Sequence, residues 1–371
     1  MTRPLLVALL ALPALTHAAP ATPAPADADQ RPYTRTIKKL YPVDASGDVA
    51  LDNRYGDIEY HTWDRREVKV AVTISVDAAS ESRAERVFDR IDVAFAATAR
   101  RVDVKTSVEG KSGWSMGGGE KFEIDYDVYA PTGFDVEVHN RYGDVRLPDL
   151  AGDAEVEIRY GDLVGGDVAG DTRLTVAYGD AVLGRVGPLR ADVRYGELDL
   201  ARAADVTLDS RYSEMAFGHV ASLALESRYD EFAIGYLGSL VNEGRYDEFA
   251  IDTLGSGEVD TRYTDLDVGY LAEAARMNLH YGDARIRDTG PGLRAIDLEG
   301  SYTDLHVRLA PALRYALEAR GRYTDIDLPA GLTIVRKEKS GASESYRGYA
   351  GARDAEVTVA LVGSYGSIRV E

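Results

Sequence analysis

The residues that could do chemistry in this chain are repeated rather than gathered. A tyrosine, a small or acidic residue and then an acid recur as Tyr55-Gly56-Asp57, Tyr142-Gly143-Asp144, Tyr160-Gly161-Asp162 and Tyr178-Gly179-Asp180. They continue as Tyr195-Gly196-Glu197, Tyr212-Ser213-Glu214, Tyr229-Asp230-Glu231 and Tyr246-Asp247-Glu248, then as Tyr263-Thr264-Asp265, Tyr281-Gly282-Asp283, Tyr302-Thr303-Asp304 and Tyr323-Thr324-Asp325. Carboxylates in such numbers could act as acid and base, or take up calcium, which favours oxygen ligands. A row of tyrosines could offer sugars an aromatic platform. Yet a catalytic centre is a single place, and twelve equivalent triplets argue for architecture. Among the histidines, His61, His139, His219, His280 and His306 form neither an HxH nor an HExxH pair, so they read as outward strand positions. No nucleophile elbow, phosphate loop or dinucleotide fingerprint occurs in its required context. The sequence therefore assigns no catalytic, cofactor-binding or metal-binding residue.

The spacing identifies the element that carries the triplets. From Tyr142 to Tyr281 the tyrosines are 17 or 18 residues apart, and two steps of 21 lead to Tyr302 and Tyr323. Fixed periods of this length mark a stacked repeat. Within a unit the pattern alternates, as in Val156-Glu157-Ile158-Arg159-Tyr160, which is the period of a half-buried strand. Beyond the triplet the apolar phase shifts, so the chain must bend there. Each unit reads as strand, corner, strand and loop, too short to bury a face alone. Stacked with strands about 4.8 Å apart, twelve such rungs make a parallel β-solenoid roughly 55–60 Å long. Two residues before the tyrosines stand small residues, Ser210, Ser227, Gly244, Thr261, Gly300 and Gly321. A small inward residue beside a large ring fills a narrow core. On that reading Tyr142, Tyr160, Tyr178, Tyr195, Tyr212, Tyr229, Tyr246, Tyr263, Tyr281, Tyr302 and Tyr323 form a structural column inside the coil. The competing topology is an antiparallel barrel, but its spanning strands need about 9–11 residues each, and a whole two-strand unit here has 17 or 18. Nine of the twelve tyrosines follow an arginine. An arginine column would offset the repulsion of stacked corner acids, about 1 kcal/mol per neighbour in water.

The rest of the chain frames this stack. Arg3, the apolar run 5–15 and Thr16-His17-Ala18 have the form of a secretory signal cleaved after residue 18. Residues 19–32 form an Ala/Pro-rich spacer. Residues 33–137 are rich in strands, with one helical pattern over 78–90 and a Gly-rich loop over 110–119 that contains Trp114 and Met116. They are expected to cap the solenoid, whose repeats run over 138–331. A polar insertion and capping strands, 332–371, are expected to close the other end. The apolar run 5–15 is too short to span a bilayer, and no later run approaches the length of a transmembrane helix. With 62 acidic against 43 basic residues the net charge is −19, which excludes nucleic acid as a bulk electrostatic partner. The absence of cysteine excludes disulfides, thiol nucleophiles and thiolate metal sites.

Ser46-Gly47-Asp48-Val49, Trp63-Asp64, Pro131-Thr132-Gly133 and the repeated Gly-Asp-Val/Leu units resemble the bacterial exported putative-adhesin family with β-strand repeats, a domain family of unknown function. The resemblance spans nearly all of the mature chain, which departs from it by writing Arg-Tyr-Gly-Asp in place of Ser-Asn-Gly-Asp. It implies a role at the cell envelope or surface and supplies no catalytic residues. The expectation is a non-catalytic periplasmic, secreted or surface protein, an adhesin-like or scaffold module with a protein or surface glycan as partner. The alternatives are a β-helix enzyme acting on polysaccharide and a periplasmic sensor that contacts a membrane signalling system.

Overall fold

In the computed structural model, residues 30–109 and 121–371 are described. The proposed signal, most of the spacer and the loop at 110–119 lie outside the described residues. Among the described residues the chain forms an all-β parallel solenoid with one helix, Glu81–Phe88, and no helix there is long and apolar enough to cross a membrane. The helix buries Ala84, Val87 and Phe88. It lies beside an antiparallel sheet in which Glu67–Ala78 pairs with Arg31–Pro42 on one side and Lys121–Pro131 on the other.

The solenoid already begins inside this N-terminal region. Asp48–Asn53 pairs in parallel with Asp135–Asn140, so Tyr55 becomes the spatial neighbour of Tyr142 although 87 residues separate them in the chain. From there each rung pairs in parallel with the next. Glu197–Arg211, Glu214–Arg228, Glu231–Arg245 and Glu248–Arg262 stack at a constant offset of 17. A constant offset places like on like. Leu198, Met215, Phe232, Phe249 and Leu266 form one buried column, and Leu200, Phe217, Ile234, Ile251 and Val268 form another. An eighteenth residue is absorbed by a register shift between Leu254 and Ser256.

Two features depart from the sequence expectation. The first is the position of the tyrosines. Every ladder tyrosine from Tyr160 onward adopts the left-handed conformation, with φ between 53° and 62°. Simple alternation placed residues 156, 158 and 160 on one face. The left-handed residue breaks the alternation at the tyrosine itself, so the arginine and the tyrosine both face solvent and the next residue turns inward. The columnar tyrosines are therefore outside the core: Tyr229 is 44% exposed and Tyr323 57%. The small residues two positions earlier make room for the residue that follows the tyrosine, not for a ring. A Cβ on Gly244 would lie 2.4 Å from Asp247 Oδ2.

The second departure is the order of the last rungs. Residues 332–371 do not simply cap the end. A hairpin, Thr333–Ser340 and Ser343–Ala350, pairs antiparallel with Tyr315–Asp327. The final strand, Val357–Val370, is inserted between Ala295–Val307 and Tyr315–Asp327, parallel to both. Insertion satisfies both edges of a 14-residue strand, whereas an end position would leave one row of N–H and C=O groups unpaired. The spatial order of the tyrosines is thus Tyr302, Tyr365, Tyr323.

This order is directly testable in a cysteine-free chain. Ser301 and Ser364 are cross-strand partners with hydroxyls 3.3 Å apart, within reach of a disulfide. The Ser301→Cys/Ser364→Cys variant is expected to oxidise to an intrachain disulfide. Ser301→Cys/Arg322→Cys should not, because those positions are two strands apart, about 9.6 Å. Chain order alone would give the opposite pattern.

Candidate functional site

The corner, with positive φ at the tyrosine from Tyr160 onward and at Gly56 and Gly143 in the first two rungs, builds an external column of rings. Thirteen tyrosines stack in the spatial order Tyr55, Tyr142, Tyr160, Tyr178, Tyr195, Tyr212, Tyr229, Tyr246, Tyr263, Tyr281, Tyr302, Tyr365 and Tyr323. Their centroids are 4.6–5.3 Å apart and their planes within 2–13°. Phe122 meets Tyr55 edge-on and ends the column at one side. The backbone stays paired through the kink: Tyr212 N–H donates to the Arg228 carbonyl and Tyr229 N–H to that of Arg245, each at 3.1 Å. Ring faces are covered by neighbouring rings, so edges and hydroxyls are what the column presents. Stacking of sugar faces on aromatic faces, the platform considered from sequence, has no open face along its length.

The corner acids serve the backbone first. Asp57, Asp144, Asp162 and Asp180 each accept the N–H of the corresponding acid one rung on, at 2.8–3.0 Å. An N–H turned out of the ladder by the kink is thereby satisfied by a charged acceptor, which is stronger than a neutral one. Among the described residues the arginines that precede the tyrosines do not pair with the corner acids, contrary to expectation; Asp57 and Asp144 instead lie 3.8 and 3.9 Å from Arg146. Arg159, Arg194 and Arg211 reach acids two residues earlier in their own strands, Glu157, Asp192 and Asp209. Because the tyrosine stands between them, arginine and corner acid belong to separate columns.

In the middle rungs the corner changes chemistry. Ser213, Asp230, Asp247 and Thr264 occupy the inward position after the tyrosine and are buried. Asp230 accepts from Ser210 Oγ and Ser213 N, both at 2.8 Å, and from Arg228 N at 2.9 Å. Asp247 accepts from Ser227 Oγ at 2.8 Å and Asp230 N at 3.1 Å. Burial raises both carboxyls above the usual range, and Asp247 is pushed up to about 6 against its hydrogen bonds, with the Asp230 charge adding to the rise. Above this polar seam the outward acids Glu197, Glu214, Glu231, Glu248 and Asp265 run in register. The resulting open trough is lined by Tyr212, Tyr229, Tyr246 and Tyr263 on one side and by those acids on the other, with Ser213, Asp230 and Asp247 along its floor. Among the described residues no lysine or arginine lies within ion-pair distance of Glu214, Glu231 or Glu248. No group of three or more His, Asp or Glu there is arranged to hold a metal ion.

The sequence singled out the tyrosines and the acids but missed the trough between them, as well as Tyr365, whose triplet continues with Gly366 and Ser367 instead of an acid. The histidines stand apart from it: His219 stacks on Tyr236 at 4.3 Å and His61 on Tyr129 at 4.5 Å.

No family model matches the chain, and no curated protein matches it. Solved structures are similar at low identity. A "putative adhesin" of Parabacteroides distasonis is 12% identical over 73% of this chain and 97% of its own, with a TM-score of 0.30. A "putative cell adhesion protein" of Clostridium sporogenes is 7% identical over 91% and 99%, with a TM-score of 0.19. A "putative lipid binding protein" of Parabacteroides distasonis is 10% identical over 92% and 96%, with a TM-score of 0.24.

The seam makes stability depend on pH. A carboxyl near 6 when folded and near 3.9 when unfolded binds more protons in the folded state between those values. Stability should therefore rise as pH falls from 7 towards 4, by on the order of 2 kcal/mol from Asp247. The Asp247→Thr variant, which copies Thr264 one rung on, should lose most of this slope in denaturant titrations at pH 7, 6 and 5. An unchanged slope would place the proton elsewhere.

Proposed function

We propose that this chain is an exported, non-catalytic interaction module of the cell envelope, adhesin-like or scaffolding in its mode, and that the trough beside the tyrosine ladder is its binding face. The observation that carries this reading is the repetition of the trough: the same ring edge, hydroxyl and carboxylate return about every 4.8 Å. A surface that repeats in one direction suits an extended partner, and it offers no unique constellation for turnover. The polysaccharide-enzyme alternative needs walls around a cleft. Residues 336–353, one candidate wall, are largely taken up by the hairpin that pairs onto the edge of Tyr315–Asp327.

The carboxylate row selects the partner's chemistry. Stacked unpaired carboxylates repel one another, and a cationic chain lying along them relieves the repulsion of several rungs at once. Covered ring faces give a sugar no stacking contact. The partner class is therefore a protein segment carrying lysine or arginine in extended form.

The test uses the full mature chain and a lysine-rich peptide as the probe. Binding is expected to weaken steeply with salt and to drop at least tenfold in the Glu214→Gln/Glu231→Gln/Glu248→Gln variant, with the melting temperature of that variant unchanged or raised. Equal binding by the variant, or preference for a neutral glucan, would overturn this assignment.

A further inference from the structure

Thirteen phenols in contact along one surface are a chemical array as well as a structural one. The chain has no cysteine, and Met215 and Met277 are buried. The sulfur groups that normally take up oxidising equivalents at a protein surface are thus absent from the described surface. The phenols remain, and the ladder members from Tyr142 to Tyr323 are 38–57% exposed. Each ring has another phenol about 5 Å away on one or both sides, nearly parallel and fixed by two paired backbones. Every tyrosine–tyrosine ring contact among the described residues lies within this ladder. Tyr129 and Tyr236, outside it, pair with histidine or tryptophan instead.

We propose that the ladder is a site of oxidative cross-linking, at which a one-electron oxidant of the peroxidase class, fed by hydrogen peroxide, joins neighbouring rings as dityrosine. Each of two adjacent phenols gives up one electron and its hydroxyl proton. The two phenoxyl radicals form a carbon–carbon bond between ring carbons ortho to oxygen. The hydrogen on each of those carbons then moves to its oxygen and restores the phenol. Two electrons and two protons leave per cross-link, and one hydrogen peroxide takes them up as two waters.

Fixed proximity makes this coupling favoured over competing fates. Radicals held side by side react as an intramolecular pair, at effective concentrations far above those of free encounter. Pairing with a second molecule is opposed by the net charge of −19. The product would be a covalent staple between rungs, replacing with carbon–carbon bonds the disulfides that the chain cannot form. The inference is independent of what the trough binds.

Peptide mapping by mass spectrometry after treatment of the full folded chain with peroxidase and hydrogen peroxide tests it. The expected products are intrachain cross-links two hydrogen masses lighter than the sum of their peptides, confined to ladder neighbours. They include Tyr302–Tyr365 and Tyr323–Tyr365, and exclude Tyr302–Tyr323. Tyr246→Phe keeps a ring in the stack and removes its phenol. In that variant the links from residue 246 to Tyr229 and Tyr263 should vanish, while Tyr212–Tyr229 persists. Links between tyrosines that are not stacked, mainly interchain links, or singly oxidised tyrosines without coupling would each overturn the proposal.

Discussion

The rest of this structure depends on a bulky residue held in the left-handed region of backbone space. For an L-residue that conformation costs about 1–2 kcal/mol, and the chain adopts it with tyrosine eleven times. Nothing else among the non-glycine residues described does so. The cost recurs with the repeat, and so does what offsets it. Each ring gains a stacked neighbour on one or both sides, at about 0.5–1.5 kcal/mol per pair, and from Tyr160 to Tyr263 each kinked tyrosine N–H keeps its hydrogen bond to the next rung. Along these eleven rungs the stacked column and the kinked corner support one another; at Tyr55 and Tyr142, which also stack, positive φ falls instead on the following Gly56 and Gly143.

From that corner the remaining features follow. The break in alternation sends the residue after the tyrosine inward, which makes it glycine where backbone presses close and a hydrogen-bonding residue elsewhere. A Cβ on Gly161 would stand 2.0 Å from the carbonyl oxygen of Gly143, whereas Asp230 and Asp247 hold turned-out N–H groups of their own and the preceding rung. In the middle rungs the outward acids Glu214, Glu231 and Glu248 are left beside the rings with no arginine in reach among the described residues, and the trough results. The polar seam is incompletely satisfied: Asn242 accepts from Ser227, while its Nδ2 finds no partner.

Much of this was legible. The 17-residue period, the buried Leu198 and Leu200 columns and the single helix can be read from spacing and alternation. What could not be read is tied to particular residues. Tyr160 looks inward if alternation is carried through it, because left-handed φ at a non-glycine residue has no marker of its own in one unit; only the adjacent Arg159, polar like an outward residue, hints that two neighbours share a face. The pairing of Tyr55 with Tyr142 is hidden by a separation of 87 positions in the chain, although Asn53-Arg54-Tyr55-Gly56-Asp57 and Asn140-Arg141-Tyr142-Gly143-Asp144 are the same pentapeptide. The insertion of Tyr365 between Tyr302 and Tyr323 is a matter of which edge wins the last strand, and local sequence does not encode it.

The most direct measurement of the account compares Tyr229→Ala with Tyr229→Gly in denaturant unfolding. An outward, left-handed tyrosine predicts that Ala costs about 1–3 kcal/mol, the value of two ring contacts. It also predicts that Gly, despite its greater flexibility, is better tolerated than Ala by about 1 kcal/mol, because only Gly removes the steric cost of positive φ. A ring packed in the core predicts a loss of about 3–5 kcal/mol for Ala and a larger one for Gly, the usual order within strands, and that result would contradict the left-handed ladder.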